Sequence, residues 1–152
     1  MTQAVSTLTA EKKYDRLSLI QQPQSLLVIE DDLSLIQFID LILDDQYYGL
    51  EWEYVTSGEA AIDLIRRRGE RLGHAPYSLV MTDIFLDGEM SGFDVWLDCQ
   101  KMYAEMPFVI TSYISFDRYF SILRGVKNCP VYLPKPLTVG RCQTVFQEYF
   151  AR

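Results

Sequence analysis

The chain has 152 residues, 49% of them hydrophobic, and a formal net charge of −7. This length suits one domain whose core is large enough to fold alone, and the apolar content excludes disorder over most of the chain. The acidic balance argues against a duplex-binding surface, and no apolar run approaches the ~20 residues of a membrane span. We therefore predict neither a nucleic-acid partner nor a membrane partner.

Apolar runs alternate with amphipathic stretches after a polar N-terminal extension at residues 1–23, and we place a single domain at 24–152. Short buried runs predict strands at 26–29, 52–55, 79–82, 108–112 and 131–133. Helical spacing predicts helices at 33–43, from Ser57 or Gly58 to 68, at 93–103, at 116–125 with Gly125 closing the helix, and at 139–150. Strands that alternate with helices indicate an α/β fold with a mostly parallel sheet.

The cysteine pattern indicates a reducing compartment. Cys99, Cys129 and Cys142 are far apart and form no CxxC pair or Cys/His cluster. This spacing predicts neither a zinc site nor a disulfide framework. We expect a cytoplasmic protein.

Polar residues follow four of the predicted strands. The run "EDD" at 30–32 follows the first strand, Asp83 the third, Ser112 the fourth and Lys135 the fifth. In open parallel sheets, ligands bind outside the carboxyl ends of the strands. The sequence therefore predicts a functional site that contains acids, a hydroxyl and an ammonium group.

Each of these residues also has a purely structural interpretation. Asp31 or Asp32 can cap the first helix, Lys135 can be a surface lysine, and Ser112 a core hydroxyl. Asp83 is harder to explain in this way, because a carboxylate that ends a buried strand needs a partner or a metal. Their joint occurrence at four strand ends favours a site.

The residue types suit phosphoryl transfer. Gathered carboxylates raise one another's pKa, and a hard cation such as Mg²⁺ relieves their repulsion. An aspartate beside a metal can attack phosphorus and form an acyl phosphate. A lysine and a serine hydroxyl can then contact the phosphoryl oxygens.

Four motifs in order, "LLVIEDD", "VMTDIFL…MSGFDV", "PFVITS" and "VYLPKP", resemble the receiver domains of two-component response regulators, the CheY-like family. The resemblance covers residues 24–151. It implies a flavodoxin-like, doubly wound sheet of five parallel strands in the order 2-1-3-4-5, flanked by five helices. It also implies a phosphoprotein of two-component signal transduction that depends on Mg²⁺.

The resemblance assigns roles to individual positions. Glu30 and Asp31 match the metal-binding acids, Asp83 the phosphoacceptor and metal ligand, and the carbonyl of Phe85 a further metal ligand. Lys135 and Ser112 match the residues that contact the phosphoryl group, Ser112 and Tyr132 the switch pair, and Pro136 a proline that commonly follows a cis peptide bond.

Two features depart from the family pattern, and one assignment has an alternative. The loop "LDGEMSG" has Asp87 in place of a proline, is one residue longer, and adds the charges of Asp87 and Glu89 near the site. Tyr113 stands where a small residue is usual, which restricts access to the phosphoryl group. A strand register shifted by one residue would give the switch role to Thr111 instead of Ser112.

The leading hypothesis is a standalone receiver that accepts a phosphoryl group on Asp83 from a sensor histidine kinase or a phosphotransfer protein in a phosphorelay. Because the sequence ends with the last predicted helix, we expect output through a downstream protein or a homodimer. The output face would combine the fourth helix, fifth strand and fifth helix, including Tyr119, Tyr132 and the segment from Val139. Beyond self-phosphorylation and autodephosphorylation, we expect no enzymatic activity.

Two alternatives belong to other classes. An aspartyl-phosphate hydrolase would need a second aspartate two residues after Asp83, where this chain has Phe85. A degenerate receiver would act as an interaction module that needs no phosphorylation, and the "LDGEMSG" loop keeps this alternative open. The lone His74 lies in a Gly/Pro-flanked loop and is interpreted as a surface residue, not a phosphodonor.

Overall fold

The structure is a computed structural model in which residues 23–47 and 49–150 are described. The extension predicted at 1–23 lies outside these residues apart from Pro23. The strands are β1 (Ser25–Ile29), β2 (Glu51–Val55), β3 (Leu79–Asp83), β4 (Phe108–Ser112) and β5 (Val131–Pro134). The helices are α1 (Leu33–Gln46), α2 (Gly58–Leu72), α3 (Gly92–Met102), α4 (Phe116–Ile122) and α5 (Val139–Tyr149).

The strands form one parallel sheet in the order β2-β1-β3-β4-β5. The predicted fold class and strand order are therefore confirmed. The order reverses between β1 and β3, and a crevice opens there at the carboxyl ends of the strands. The residues that follow β1 and β3 consequently lie side by side at this crevice.

Hydrophobic side chains cover both faces of the sheet, because successive residues of a strand point to opposite sides. One core cluster contains Leu27, Val80 and Ile110 with residues of α2, α3 and α4. The other contains Val28, Met81 and residues of α1 and α5. The site is thus supported by central strands that are buried on both faces.

Side-chain caps fix where the helices begin. Ser57, Ser91, Ser115 and Thr138 each accept a hydrogen bond from a backbone N–H in the first turn of α2, α3, α4 and α5. Such caps satisfy amide groups that have no partner within the helix. In α3 the cap is reciprocal, because the Asp94 carboxylate accepts the backbone N–H of Ser91.

Three predicted helix ends were wrong. The first helix continues to Gln46, three residues beyond 43. The second helix continues four residues beyond 68 to Leu72 and is capped by Gly73, whose φ of 75° suits glycine. The fourth helix ends at Ile122 and not at Gly125. Beyond Ile122 the chain forms tighter turns, with bonds from Arg124 N–H to Ser121 O and from Val126 N–H to Leu123 O.

Across the described residues, none of the helices is long and apolar enough to cross a membrane.

Candidate functional site

Three carboxylates meet at the crevice between the ends of β1 and β3. Glu30 directly follows β1 and is buried, Asp31 is half-buried, and Asp83 is the last residue of β3 and is buried. One oxygen of each lies within 4.8 Å of the others. The structure therefore brings together the three acids that the sequence predicted.

Lys135, directly after β5, reaches into this cluster. Its Nζ donates hydrogen bonds to Oε2 of Glu30 at 2.9 Å and to Oδ2 of Asp83 at 2.7 Å, and only 6% of its side chain is exposed. The backbone N–H of Lys135 donates to the carbonyl of Ser112 at 2.7 Å, and the Lys135–Pro136 peptide bond is cis. We call Glu30, Asp31, Asp83 and Lys135 the acidic site.

The acidic site is electrostatically unbalanced. Burial raises the pKa of Glu30, although hydrogen bonds from Lys135 and from the backbone of Asp32 oppose this rise. Burial alone would lower the pKa of Lys135, but its hydrogen bonds to Asp83 and Glu30 raise it above the ordinary value. Three carboxylates and one ammonium leave a formal charge of −2 when all are ionised, so a divalent cation would neutralise the site.

The hydrogen bonds show which carboxylate oxygens are already engaged. Oε1 of Glu30 accepts the backbone N–H groups of Asp31 and Asp32, each at 3.1 Å. Oδ1 of Asp83 accepts the N–H of Phe85 at 3.3 Å. In the part of the chain that the structure describes, no group bonds to the Asp31 carboxylate. Carboxylate oxygens are the ligands that Mg²⁺ prefers, so this donor set fits that ion.

The structure separates Asp31 from Asp32, which the sequence left as alternative caps. Asp32 is exposed and caps α1, since its Oδ1 accepts the backbone N–H of Ser34 at 2.9 Å and the Ser34 hydroxyl at 2.6 Å. These bonds lower the pKa of Asp32. Asp31 is left available to the acidic site.

Two neighbouring hydroxyls end β4. Thr111 lies in register with Asp83, and its hydroxyl donates to the carbonyl of Thr82 at 3.4 Å. Ser112 is buried, and its Oγ lies 3.5 Å from the N–H of Ile114. Each hydroxyl thus makes a long hydrogen bond of nearly the same length, and Ser112 and Thr111 both remain candidates for the switch residue.

The Tyr132 side chain is turned inward. Its hydroxyl donates to the carbonyl of Ser112 at 3.0 Å and to the carbonyl of Ile114, and its ring stacks on Tyr119 with centroids 4.2 Å apart. Tyr119, which was predicted to belong to the output face, lies in the core beside Tyr132. Its side chain is fully buried and its hydroxyl donates to the carbonyl of Pro130 at 2.7 Å.

Exposed aromatic rings surround the opening of the acidic site and continue along α4. Phe85 and Tyr113 are 67% and 76% exposed, and Nζ of Lys135 lies 5.7 Å from the centroid of the Tyr113 ring. On α4, Phe116 and Phe120 stack on each other and are both largely exposed. These rings offer apolar surface beside the site.

The enlarged loop at residues 84–91, which we call the β3–α3 loop, is fastened to α2. Asp87 forms a backbone bridge with Ser57. Oε1 of Glu59 accepts the N–H groups of Glu89 at 2.8 Å and of Met90 at 2.9 Å. The sequence did not reveal this role of Glu59, because 30 residues separate it from its partner and no motif links them.

Residue His74 is exposed, and its Nδ1 lies 2.8 Å from the carbonyl of Ala75. The prediction that it is a surface residue is confirmed.

Comparison with solved structures gives consistent matches to receiver domains. The chain is 18% identical to the chemotaxis protein CheY4 of Vibrio cholerae (TM-score 0.66; 85% of this chain and 100% of that chain). It is 21% identical to a response regulator receiver domain of Clostridium thermocellum (TM-score 0.66; 83% and 93%). It is 19% identical to the receiver domain of the sensor histidine kinase PA1611 of Pseudomonas aeruginosa, which holds a magnesium ion in its active-site cleft (TM-score 0.63; 84% and 98%).

No protein-family profile matches the sequence, and no curated protein matches it. The solved structures therefore show that the chain has the fold of response regulator receiver domains.

Proposed function

We propose that this chain is a receiver that accepts a phosphoryl group on Asp83. The observation that carries this proposal is the pair of contacts that Lys135 makes with Asp83 and Glu30, with the Asp31 carboxylate beside them. A nucleophilic carboxylate, further acids that could hold a metal, and a fixed cation are the parts that phosphoryl transfer requires. The receiver would occupy residues 24–152, after an N-terminal extension at 1–23.

In the proposed reaction, an oxygen of Asp83 attacks the phosphorus of a phosphohistidine on a kinase or a phosphotransfer protein. The bond from that oxygen to phosphorus forms while the bond from phosphorus to the imidazole nitrogen breaks, and the imidazole leaves with the electron pair. The ammonium group of Lys135 would form an ion pair with the new phosphoryl oxygens, and Ser112 would donate a hydrogen bond to them.

Glu30, Asp31, Asp83 and the carbonyl of Phe85 would hold Mg²⁺. When bound, this ion supplies positive charge that neutralises the transferred group. Lys135 already engages one oxygen of Glu30 and one of Asp83, so it keeps these carboxylates in place before any donor arrives.

The proposed output is a change of binding surface. A shift of Ser112 toward the phosphoryl group would displace its carbonyl, which accepts the hydroxyl of Tyr132. The Tyr132 ring packs edge-on against Phe116 of α4 at 5.1 Å, so the change would reach the exposed rings of that helix. A downstream protein or a second copy would bind the surface of α4, β5 and α5. We place this signalling in the cytoplasm, with no catalytic turnover beyond loading and loss of the phosphoryl group.

The test is incubation with a small acyl-phosphate donor, with and without Mg²⁺, followed by intact mass spectrometry and site mapping. Wild type should gain a phosphoryl adduct only with Mg²⁺, and Asp83→Asn should gain none. Asp87→Asn is the matched control, because it removes an exposed acid four residues away, and it should be labelled normally. An adduct that persists in Asp83→Asn would refute the assignment, and wild type that takes no label from this donor or from a phosphorylated kinase would support the interaction module.

A further inference from the structure

The β3–α3 loop is tied at its base to the proposed phosphoacceptor. The N–H of Gly92 donates to the carbonyl of Ile84 at 2.9 Å and closes the loop. A Cβ at Gly92 would lie 2.1 Å from the carbonyl oxygen of Asp83, so the two ends of the loop are in direct contact. Within the loop, the N–H of Phe85 donates to Oδ1 of Asp83. The backbone path of the loop therefore helps to set the orientation of that carboxylate.

The second half of the same loop is held by the first turn of α2. Oε1 of Glu59 accepts two successive N–H groups, those of Glu89 and Met90. The loop approaches closely enough that a Cβ at Gly88 would lie 2.6 Å from Oε2 of Glu59, and one at Gly58 would lie 2.7 Å from Cβ of Met90. Gly88 also has a φ of 88°, which suits glycine. The Glu59 side chain that makes this contact is exposed and does not belong to the hydrophobic core.

We propose that Glu59 is a positioning residue for the acidic site. By holding Glu89 and Met90, it keeps the loop in the path that presents the backbone of Phe85 to Asp83. This inference rests on the proposed function, because Phe85 would supply a carbonyl ligand to the metal.

Without the carboxylate of Glu59, the loop would populate paths in which Phe85 no longer faces Asp83. The apparent association constant for Mg²⁺ equals the intrinsic constant multiplied by the fraction of molecules whose loop keeps Phe85 facing Asp83. Residues that support a metal ligand directly are worth roughly 10–100-fold in affinity. Glu59 acts on one ligand and through the loop, so we expect a weakening of about threefold to tenfold.

The experiment compares Glu59→Ala with Asp63→Ala, because glutamine at position 59 would keep an oxygen that accepts the same two N–H groups. Both substitutions remove one exposed carboxylate from α2, but among the described residues Asp63 forms its ion pair with Arg67 of the same helix. Titration with Mg²⁺ alone, followed by backbone amide resonances, gives the dissociation constant. The amide resonance of Phe85 in metal-free protein reports its bond to Asp83, and hydrogen exchange at Glu89 and Met90 reports the hold on the loop.

In Glu59→Ala we expect weaker Mg²⁺ binding, a shifted Phe85 resonance and faster exchange at Glu89 and Met90, with Asp63→Ala unchanged in all three. A Glu59→Ala variant with the Mg²⁺ affinity and Phe85 resonance of wild type would overturn the proposal. If wild type itself binds no Mg²⁺, the metal part of the proposed function fails. The Phe85 resonance then decides alone: a shift in Glu59→Ala but not in Asp63→Ala sustains the positioning role, and no shift ends it.

Discussion

Replacing Lys135 with methionine would test whether the acidic site is held together by this one cation. The side chains of Lys135 and Glu30 are 6% and 3% exposed, and that of Asp83 is 11% exposed. Removing one partner of a buried ion pair costs about 3–5 kcal/mol, because the remaining charge is left uncompensated. The half-exposed Asp31 shows that the site opens to solvent, so we expect the lower end, about 3 kcal/mol.

The assay is equilibrium unfolding in urea at about pH 7.5 without divalent cations. With an m-value of about 2 kcal/mol per molar, the loss would lower the midpoint of Lys135→Met by about 1.5 M. Lys101→Met is the matched control, because Lys101 is 80% exposed and lies 3.9 Å from Asp98. Its effect should stay below about 1 kcal/mol.

Addition of Mg²⁺ should restore part of the lost stability. At tenfold its dissociation constant, a ligand that binds only the folded state stabilises by about 1.4 kcal/mol. The gain should be larger in Lys135→Met than in wild type, because the lysine no longer competes for oxygens of Glu30 and Asp83. Equal midpoints for wild type and Lys135→Met in metal-free buffer would refute the electrostatic reasoning.

The remaining predictions concern other parts of the chain. Tyr119→Phe should lower the free energy of unfolding by about 1–3 kcal/mol, because it removes the donor to the buried carbonyl of Pro130. Tyr47→Phe should leave that free energy unchanged, because within the described residues the buried Tyr47 hydroxyl has no partner. Urea unfolding of both variants measures the two free energies. With a thiol reagent at about pH 8, only the exposed Cys129 should react in the native state. The other two thiols are buried, and burial raises the pKa of Cys99 to about 12 and that of Cys142 to about 11. The pKa of Glu59 is lowered by hydrogen bonds from its own backbone amide and from the β3–α3 loop. The ionised Glu59 therefore stabilises the folded state above the ordinary pKa of 4.5, and this contribution is lost as the pH falls through the lowered pKa. Unfolding of wild type and Glu59→Gln from neutral to acid pH should therefore converge, and a constant difference would contradict this assignment.

The sheet was predictable because its signals are local. The strand predicted at 108–112 agrees with β4 at both ends, since Pro107 precedes a short run of buried residues. The acids and the lysine were found for a related reason. Residues that directly follow parallel strands share one edge of the sheet, so their order in the chain already places Glu30, Asp83 and Lys135 together.

The errors arose where a distant contact overrides the local signal. Gly69 resembles a helix end, yet α2 continues to Leu72, and the position suits glycine because a Cβ there would collide with the Tyr103 side chain. Tyr119 was predicted only as part of the output face, but its hydroxyl donates to the carbonyl of Pro130 and its side chain is fully buried. The hold of Glu59 on the β3–α3 loop likewise depends on tertiary structure and has no signature in the sequence.

The two-sided core means that each layer of the molecule carries its own buried thiol. Cys99 belongs to the cluster beneath α2, α3 and α4, and Cys142 to the cluster beneath α1 and α5. Labelling of either thiol in the native protein requires that its layer opens, so the two labelling rates measure two opening reactions separately. Equal rates would mean that the layers open as one cooperative unit, and unequal rates would identify the layer that opens first, with no engineered probe.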